Sequence, residues 1–332
     1  MPGVQRSRAI DERRFHDWLS HELPAGRSGL LPLGDDAAAL RPPAGRVAVL
    51  SIDSLVEGTH FLPNSPPHLV GAAAAAVSLS DLAAKGARPA ALLLAIVVPP
   101  GSAQAWVEAV TRGAERTAEQ FGMQLVGGDT KPGPVRTVVS SVLGWARERE
   151  LAPRTGARPG DLLATTGYVG RGGVAAARLG RTRRPDRRAL SAMLDVRPRV
   201  EEGAVLARWA HAMLDTSDGL AEASRLLAVA SRVRVEVHEP WLPLAPSLRA
   251  MALSAHERRR RTFYGGDYEL LLALPAGKFP AAQRAVRRVG GRLTAVGRVA
   301  RGRGAWLRDG GRVRPMPPAG WRPFARRNPR QG

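Results

Sequence analysis

The chain predicts an α/β protein with α+β layering and two domains. Three observations carry this expectation. Short apolar runs that end in polar loops alternate with longer stretches of helical period, and the joints between them are short. The periodicity stops once, around residues 147–160, where charge and proline rise; a boundary there separates a domain of residues 1–150 from one of residues 151–332. A length of 332 residues suffices for two hydrophobic cores of ordinary size.

In chain order, Ile10, Phe15, Trp18, Leu19 and Leu23 recur at near-helical spacing and predict an amphipathic helix over residues 9–23. A loop then leads to LGDDAAAL (33–40), where Asp35 and Asp36 follow a glycine. Val47–Leu50 reads as a short buried strand that delivers Asp53 to its end and then Glu57, Gly58 and His60. Such a strand either builds an enzyme site or ends in a turn whose aspartate bonds its own backbone, and the stretch alone leaves both open. Leu69–Lys85 is an alanine-rich helix with Ser80 and Asp81 near its end and Gly86 as its stop. Residues 90–98 predict a second buried strand and 103–121 a second amphipathic helix. Residues 123–129 predict a strand delivering Asp129, and 137–145 a further strand.

Beyond the boundary, Asp161–Thr166 predicts a strand running into GYVGRGG (167–173) and a helix. That glycine-rich joint either cradles phosphate on backbone N–H groups or only packs tightly, and it does not fit the dinucleotide fingerprint. Arg181–Arg188 reads as a charged loop. HAMLDTSDGL (211–220) predicts a short strand, then Asp215, Ser217 and Asp218, then a helix from Leu220, with Ser217 or Asp218 as a possible cap. Residues 233–237, 293–299 and 305–308 predict strands, and Phe263–Leu274 holds YGGDYELLLAL.

Composition excludes several chemistries. The hydrophobic fraction of 44% and charged fraction of 24% are those of a globular protein. There is no cysteine, which rules out disulfides, thiolate metal sites and cysteine nucleophiles. No apolar run follows the N-terminal charges, and ALLLAIVV is too short to span a bilayer, so a cytoplasmic protein without membrane association is expected. The net charge of +21 raises the question of nucleic acid. Lysine occurs only at 85, 131 and 278, however, and the arginines are scattered with few interleaved aromatics, so no specific nucleic-acid partner is expected.

The acids are placed otherwise. Of 14 aspartates, eight lie in a few glycine-bearing motifs: Asp35, Asp36, Asp53, Asp81, Asp129, Asp215, Asp218 and Asp267. Carboxylates brought together repel one another unless cations neutralise them, and oxygen-only donors suit Mg²⁺ completed by water and phosphates. That combination points to phosphoryl transfer from a nucleotide. The P-loop, the protein-kinase motifs and a G-x-S-x-G elbow are all missing from the sequence.

Seven motifs, in order, resemble the thiamine-monophosphate kinase family, within the superfamily of aminoimidazole ribonucleotide synthetase and selenophosphate synthetase. They are LGDDAAAL, SIDSLVEGTHF, SLSDLAAKGARP, QLVGGDT, RTGARPGD, LDTSDGL and GGDYELL, running from residue 33 towards GWRPF near the C-terminus. The resemblance implies an N-terminal domain that binds ATP and metal and pairs with a second copy in a barrel-like dimer, followed by a C-terminal α/β domain. It implies transfer of the ATP γ-phosphoryl to thiamine monophosphate, with several Mg²⁺ ions. Asp36, Ser51, Asp53, Asp81, Asp129, Asp215 and Asp218 would hold metal. Gly128, Asp129, Arg154 and Ser217 would contact ATP, while His60 and Trp321 would face the thiamine substrate. No residue is implied as a general acid or base.

Three positions depart from the family pattern. Ile52 stands for threonine, Lys85 for methionine, and Gly266 for a substrate-side glutamate in an ungapped alignment. Alternatives that remain open are a related ATP-dependent enzyme with another acceptor and a catalytically weak nucleotide-binding protein.

Overall fold

The computed structural model describes Trp18, residues 40–180 and residues 187–320. The expected helix over 9–23 (Trp18 apart), the Asp35–Asp36 pair and Trp321 lie outside the described residues. The chain divides into two compact units, one of residues 1–79 with 89–145 and one of residues 80–88 with 146–332.

The first unit is built on a four-stranded sheet in the order β1-β4-β2-β3: Val47–Val56 (β1), Arg88–Val98 (β2), Gln124–Pro132 (β3) and Thr137–Ala146 (β4). β2 and β3 run parallel, with Leu94 opposite Gly128 and Ala95 opposite Asp129, and the helix Gln104–Gln120 is the crossover a parallel pair requires. That helix buries Val107, Val110, Thr111, Ala114, Thr117 and Ala118, one stripe of an otherwise charged segment. It crosses the helix Pro67–Lys85 at glycines: a Cβ on Gly71 would stand 1.8 Å from the Val110 carbonyl oxygen, and one on Gly113 2.0 Å from that of His68. Pro67–Lys85 is long and apolar enough to cross a membrane, but 72% of its most apolar window is buried inside the protein, as befits a core helix.

β4 alternates buried and half-buried residues along its length, so one sheet face packs on helix and the other does not. β1 corrects the expectation of a short buried strand. It is a ten-residue edge strand, and Leu50 and Ile52 are each 68% exposed. The apolar run is explained by a sheet face uncovered in the single chain, where Leu93 of β2 is also exposed.

The second unit holds a seven-stranded sheet in the order β11-β10-β7-β9-β5-β8-β6. Its strands are Asp161–Thr166 (β5), Ala212–Asp215 (β6), Arg234–His238 (β7), Leu270–Pro275 (β8), Leu293–Ala300 (β9), Gly304–Asp309 (β10) and Arg312–Pro315 (β11). Neighbours from β6 to β7 are antiparallel, β7 and β10 are parallel, and β10–β11 is a hairpin. Leu163, Leu214, Leu220, Leu227, Phe263, Leu271, Val296 and Leu307 form its core.

Helices at Arg187–Leu194, Val200–Leu206, Ala255–Thr262 and Phe279–Arg288 were not expected from the sequence. The first begins inside the stretch expected to be a charged loop. Phe279–Arg288 shows why such helices are hard to read: only Ala282 and Val286 are buried, with Gln283, Arg284 and Ala285 between them and Arg287 and Arg288 after.

Candidate active site

In the first unit the site residues stand within β1 and β3 and not at the strand ends that the sequence suggests, because both strands run on for three residues past Asp53 and Asp129. Asp53 Oδ1 accepts the Ser54 N–H at 2.7 Å, and Asp129 Oδ1 accepts the Thr130 N–H at 2.8 Å. Both aspartates therefore bond the next backbone N–H, the reading the sequence left open for Asp53. The bond engages one oxygen of each carboxylate and fixes its direction, which suits a ligand group as well as a turn. Asp129 Oδ1 also lies 3.1 Å from Lys131 Nζ. Ser51 is two residues before Asp53 and shares its side of the strand, whereas Ile52 projects to the opposite side. Replacement of threonine by Ile52 thus changes the uncovered sheet face. Gly128 is explained by packing: a Cβ there would sit 2.1 Å from the Leu94 carbonyl oxygen on β2.

The loop after β1 is closed by Gly58 N–H to Phe61 C=O at 2.7 Å, with Gly58 at φ +81° and Phe61 buried beneath it. It turns His60 back, so that Nδ1 accepts the Val56 N–H at 3.0 Å. Burial holds the His60 pKa below its ordinary value, against the opposing charge of Asp53. The ring is therefore neutral at pH 7 with its proton on Nε2. Glu57 is committed elsewhere, 3.5 Å from the Arg136 guanidinium.

In the second unit the last turns of the helix Pro67–Lys85 meet the end of β6. Asp215 is the centre of this cluster. Its Oδ2 accepts from Ser80 Oγ at 2.8 Å and its Oδ1 from Ser217 Oγ at 3.1 Å. Burial pushes its pKa up to about 6, with the Asp81 charge adding to the rise and the two hydroxyl bonds opposing it. Gly219, at φ +95°, is the N-cap of the helix Leu220–Ser231, so neither Ser217 nor Asp218 is spent as the cap. Lys85 directs its ammonium to the Ala152 and Met213 carbonyls at 3.1 and 3.0 Å. Burial and the Arg154 charge lower its pKa to about 8, against Asp215 and Asp81. It is an internal counter-charge to those carboxylates. The Met213 N–H bonds the Pro153 carbonyl at 2.8 Å, which brings the exposed Arg154 beside β6.

The glycine-rich joint after β5 is tight packing around a protein carboxylate. Asp267 accepts the Gly170 and Gly172 N–H groups at 2.7 and 2.9 Å, so the donors that a phosphate would use are taken. Burial raises the Asp267 pKa to about 6 in spite of those two bonds. Glu269, two residues on, accepts two bonds from Arg199 at 2.6 Å each and one from Thr166 Oγ1 at 2.8 Å. Gly266 sits at φ +83°, and a Cβ there would meet only the Gly172 Cα, at 3.5 Å. Space is not what bars a glutamate at 266; the left-handed backbone is.

Among the described residues no three His, Asp or Glu side chains form a ready metal cage. The donors that are present still fit Mg²⁺, which takes one or two carboxylates and fills its shell with water and substrate phosphate. The Asp215 pKa is raised by desolvation first and by the Asp81 charge second, and a divalent ion would oppose both by favouring the ionised carboxylate. Ser80 is the contact the sequence reading did not assign, although its place beside Asp81 in SLSDLAAK was a usable signal.

Comparison with known proteins agrees with this picture. Residues 34–146 match the family described as AIR synthase related protein, N-terminal domain, and residues 158–308 its C-terminal domain. The thiamine-monophosphate kinase of Synechococcus elongatus is 36% identical over 275 residues, covering 75% of this chain and 82% of that protein. The solved thiamine-monophosphate kinase of Stenotrophomonas maltophilia superposes with a TM-score of 0.78 at 31% identity, covering 90% of this chain and 95% of that one. AaThiL complexed with AMPPCP and TMP gives 0.72 at 27% identity, covering 87% and 90%. Across both of its units, this chain belongs to the thiamine-monophosphate kinase family of AIR synthase-related proteins.

Proposed function

We propose that the chain transfers the γ-phosphoryl group of ATP to the phosphate of thiamine monophosphate, giving thiamine diphosphate and ADP. The observation that carries this is the half-buried Asp215, held by Ser80 and Ser217 beside Asp81. It is supported by the relative of the same fold that binds AMPPCP and TMP together. An acceptor phosphate oxygen attacks the γ-phosphorus as the bond to the ADP oxygen breaks. The attacking oxygen is already ionised at neutral pH, so no general base is needed.

In the second unit, Asp81, Asp215 and Asp218 are the proposed Mg²⁺ ligands, with Ser217 and Arg154 for ATP. In the first unit Ser51, Asp53 and Asp129 are proposed for metal, and Gly128 and Asp129 for ATP. His60 is proposed to donate to the acceptor phosphate through Nε2–H. Asp36 and Trp321 belong to the same reading. Bound Mg²⁺ supplies charge neutralisation between two polyanions. The division of labour between residues 1–150 and 151–332 and a cytoplasmic location complete the proposal. The test is direct: purified protein with ATP, Mg²⁺ and thiamine monophosphate should form thiamine diphosphate and ADP in equal amounts. Nucleotide binding without any thiamine diphosphate would overturn it.

A homodimer is part of the same proposal, supported by the exposed Leu50, Ile52 and Leu93 on the uncovered sheet face. Association through that face would remove three large apolar side chains from water, each contributing on the order of 1.5–3 kcal/mol when fully buried. Light scattering should find a dimer, and the double variant Leu50→Lys, Ile52→Lys should run as a monomer. A dimer that survives both lysines would place the interface elsewhere.

A further inference from the structure

Lys85 ends the helix Pro67–Lys85, one turn beyond Asp81 and on the same helix face. The chain then turns sharply at Gly86, which stands at φ +72°, and a Cβ there would lie 2.4 Å from Ala207 Cβ. The Lys85 ammonium donates to the Ala152 carbonyl at 3.1 Å and to the Met213 carbonyl at 3.0 Å. Its own main-chain carbonyl accepts the Ala152 N–H at 3.3 Å. Ala152 and Met213 are both fully buried, so each carbonyl needs a partner from the protein. β6 is the edge strand of its sheet, and Met213 finds partners beyond that edge: the Pro153 carbonyl takes its N–H at 2.8 Å, and Lys85 takes its carbonyl.

One ammonium thus joins three segments, and each carries a proposed contact of the nucleotide or its metal. The helix end carries Ser80 and Asp81, the second segment leads from Ala152 to Arg154, and β6 ends in Asp215. Arg154 stands two residues past one anchored carbonyl and Asp215 two residues past the other. Ser80 Oγ reaches the same Asp215 at 2.8 Å, so the helix end holds β6 at two points. The same three site charges act on Lys85 itself. Burial weighs most against its charged form and the Arg154 charge adds to that, while Asp215 and Asp81 favour it. An ammonium kept out of water is a costly donor, and what distinguishes it from a neutral side chain is three charge-assisted N–H groups on one atom, enough to join two carbonyls at once.

We propose that Lys85 is a positioning residue: its ammonium, shared by the Ala152 and Met213 carbonyls, sets Arg154 and Asp215 against Asp81 before the nucleotide arrives. The inference rests on the nucleotide half of the kinase reading above, and it adds a residue that acts through others and touches neither ATP nor metal. Its energetic basis is preorganisation, since contacts fixed in the free protein leave less to be ordered when the ligand binds. A methionine at this position would match the stem and supply no donor.

The test uses the full chain and two readouts, affinity for AMPPCP with Mg²⁺ and hydrogen exchange in the protein without either. Lys85→Met should weaken AMPPCP roughly tenfold, the low end for losing a residue that supports a ligand contact. Its exchange should quicken in the segments 150–156 and 211–216 and stay at the wild-type level in β7 and β9 of the same sheet. Lys85→Gln keeps N–H donors on a shorter, neutral stem; it should fall between, and it carries the comparison should the Met variant not fold. The sequence has no cysteine, so Lys85→Cys offers a single thiol. In the unfolded chain its thiolate displaces bromide from 2-bromoethylamine, which restores an ammonium on a stem of lysine length. After refolding, that protein should bind AMPPCP within about twofold of wild type taken through the same steps. A loss that persists after this restoration would overturn the positioning role, as would AMPPCP affinity left intact in Lys85→Met. Faster exchange across the whole sheet would also overturn it, since that marks a contact serving only the fold. A wild-type chain that binds no AMPPCP would sink the nucleotide reading and the role of Lys85 together.

Discussion

Asp215→Asn is expected to lower turnover roughly 10³-fold, the scale of losing one preorganised electrostatic contact to a transferring group, and to make the metal-free protein more stable. The two effects share a cause. Asp215 is half-buried, with a neighbouring acid at Asp81, and its pKa is raised to about 6 from 3.8 by desolvation first and that charge second. A folded-state pKa above the unfolded one means that the protonated form is favoured by folding. The associated stability is complete below about pH 4 and is lost as pH rises through 6, to a total of up to about 3 kcal/mol. Wild-type protein therefore carries that penalty at pH 8, and asparagine does not. The amide still suits the site, accepting a hydroxyl bond at Oδ1 and donating at Nδ2 where Ser80 and Ser217 now donate.

A thermal melt separates this account from simple damage. At pH 8 without metal, the Asn variant should melt above wild type, and at pH 4 the gap should close. Added Mg²⁺ with AMPPCP should raise the wild-type midpoint and move the variant much less. A variant that melts below wild type at pH 8 would remove the electrostatic explanation, and one with full turnover would remove Asp215 from the metal set.

The two units were legible in the sequence to different depths. β5 and the start of the helix at Leu220 fall where the pattern put them, because apolar runs bounded by glycine and aspartate leave little choice. β1 was harder, since Val47–Leu50 read as a buried run although Leu50, like Ile52, is exposed in one chain; a sequence does not say which partner covers an apolar stripe. The helices in arginine-rich segments hid for the opposite reason, since one or two buried alanines and valines give too faint a period. In the site, the motif aspartates were visible as a group, but their separate duties were not. Asp267 stands in the same kind of motif as Asp215 and yet binds only backbone N–H groups. The difference lies in what each faces across the fold, and single-chain spacing does not encode it. The Lys85 carbonyl contacts were hidden for the same reason, since each joins residues far apart in the chain.

Arg199→Met should destabilise the protein by about 3–5 kcal/mol, the usual result of stripping a buried charge of its partner. Glu269 is 2% exposed, and Arg199 is its only cation within ion-pair distance among the described residues. Methionine fills much of the arginine volume, so the loss would be electrostatic more than steric. Glu269→Gln should cost less, because Arg199 is 22% exposed and still reaches Glu202 at 3.4 Å. The double variant should then recover part of the single Met loss, a coupling that a cavity alone would not produce. Urea unfolding of the three variants measures all of these, and a Met variant as stable as wild type would refute the account. The pair matters to the site through the backbone. The Glu269 N–H bonds Thr216 Oγ1 at 3.0 Å, and the Thr216 N–H bonds the Glu269 carbonyl at 2.8 Å, one residue from Asp215. The last acid of GGDYEL is thus a buried anchor for the loop that presents Asp215, Ser217 and Asp218. Loosening it should weaken AMPPCP binding in the Met variant even at low temperature, where the fold is intact.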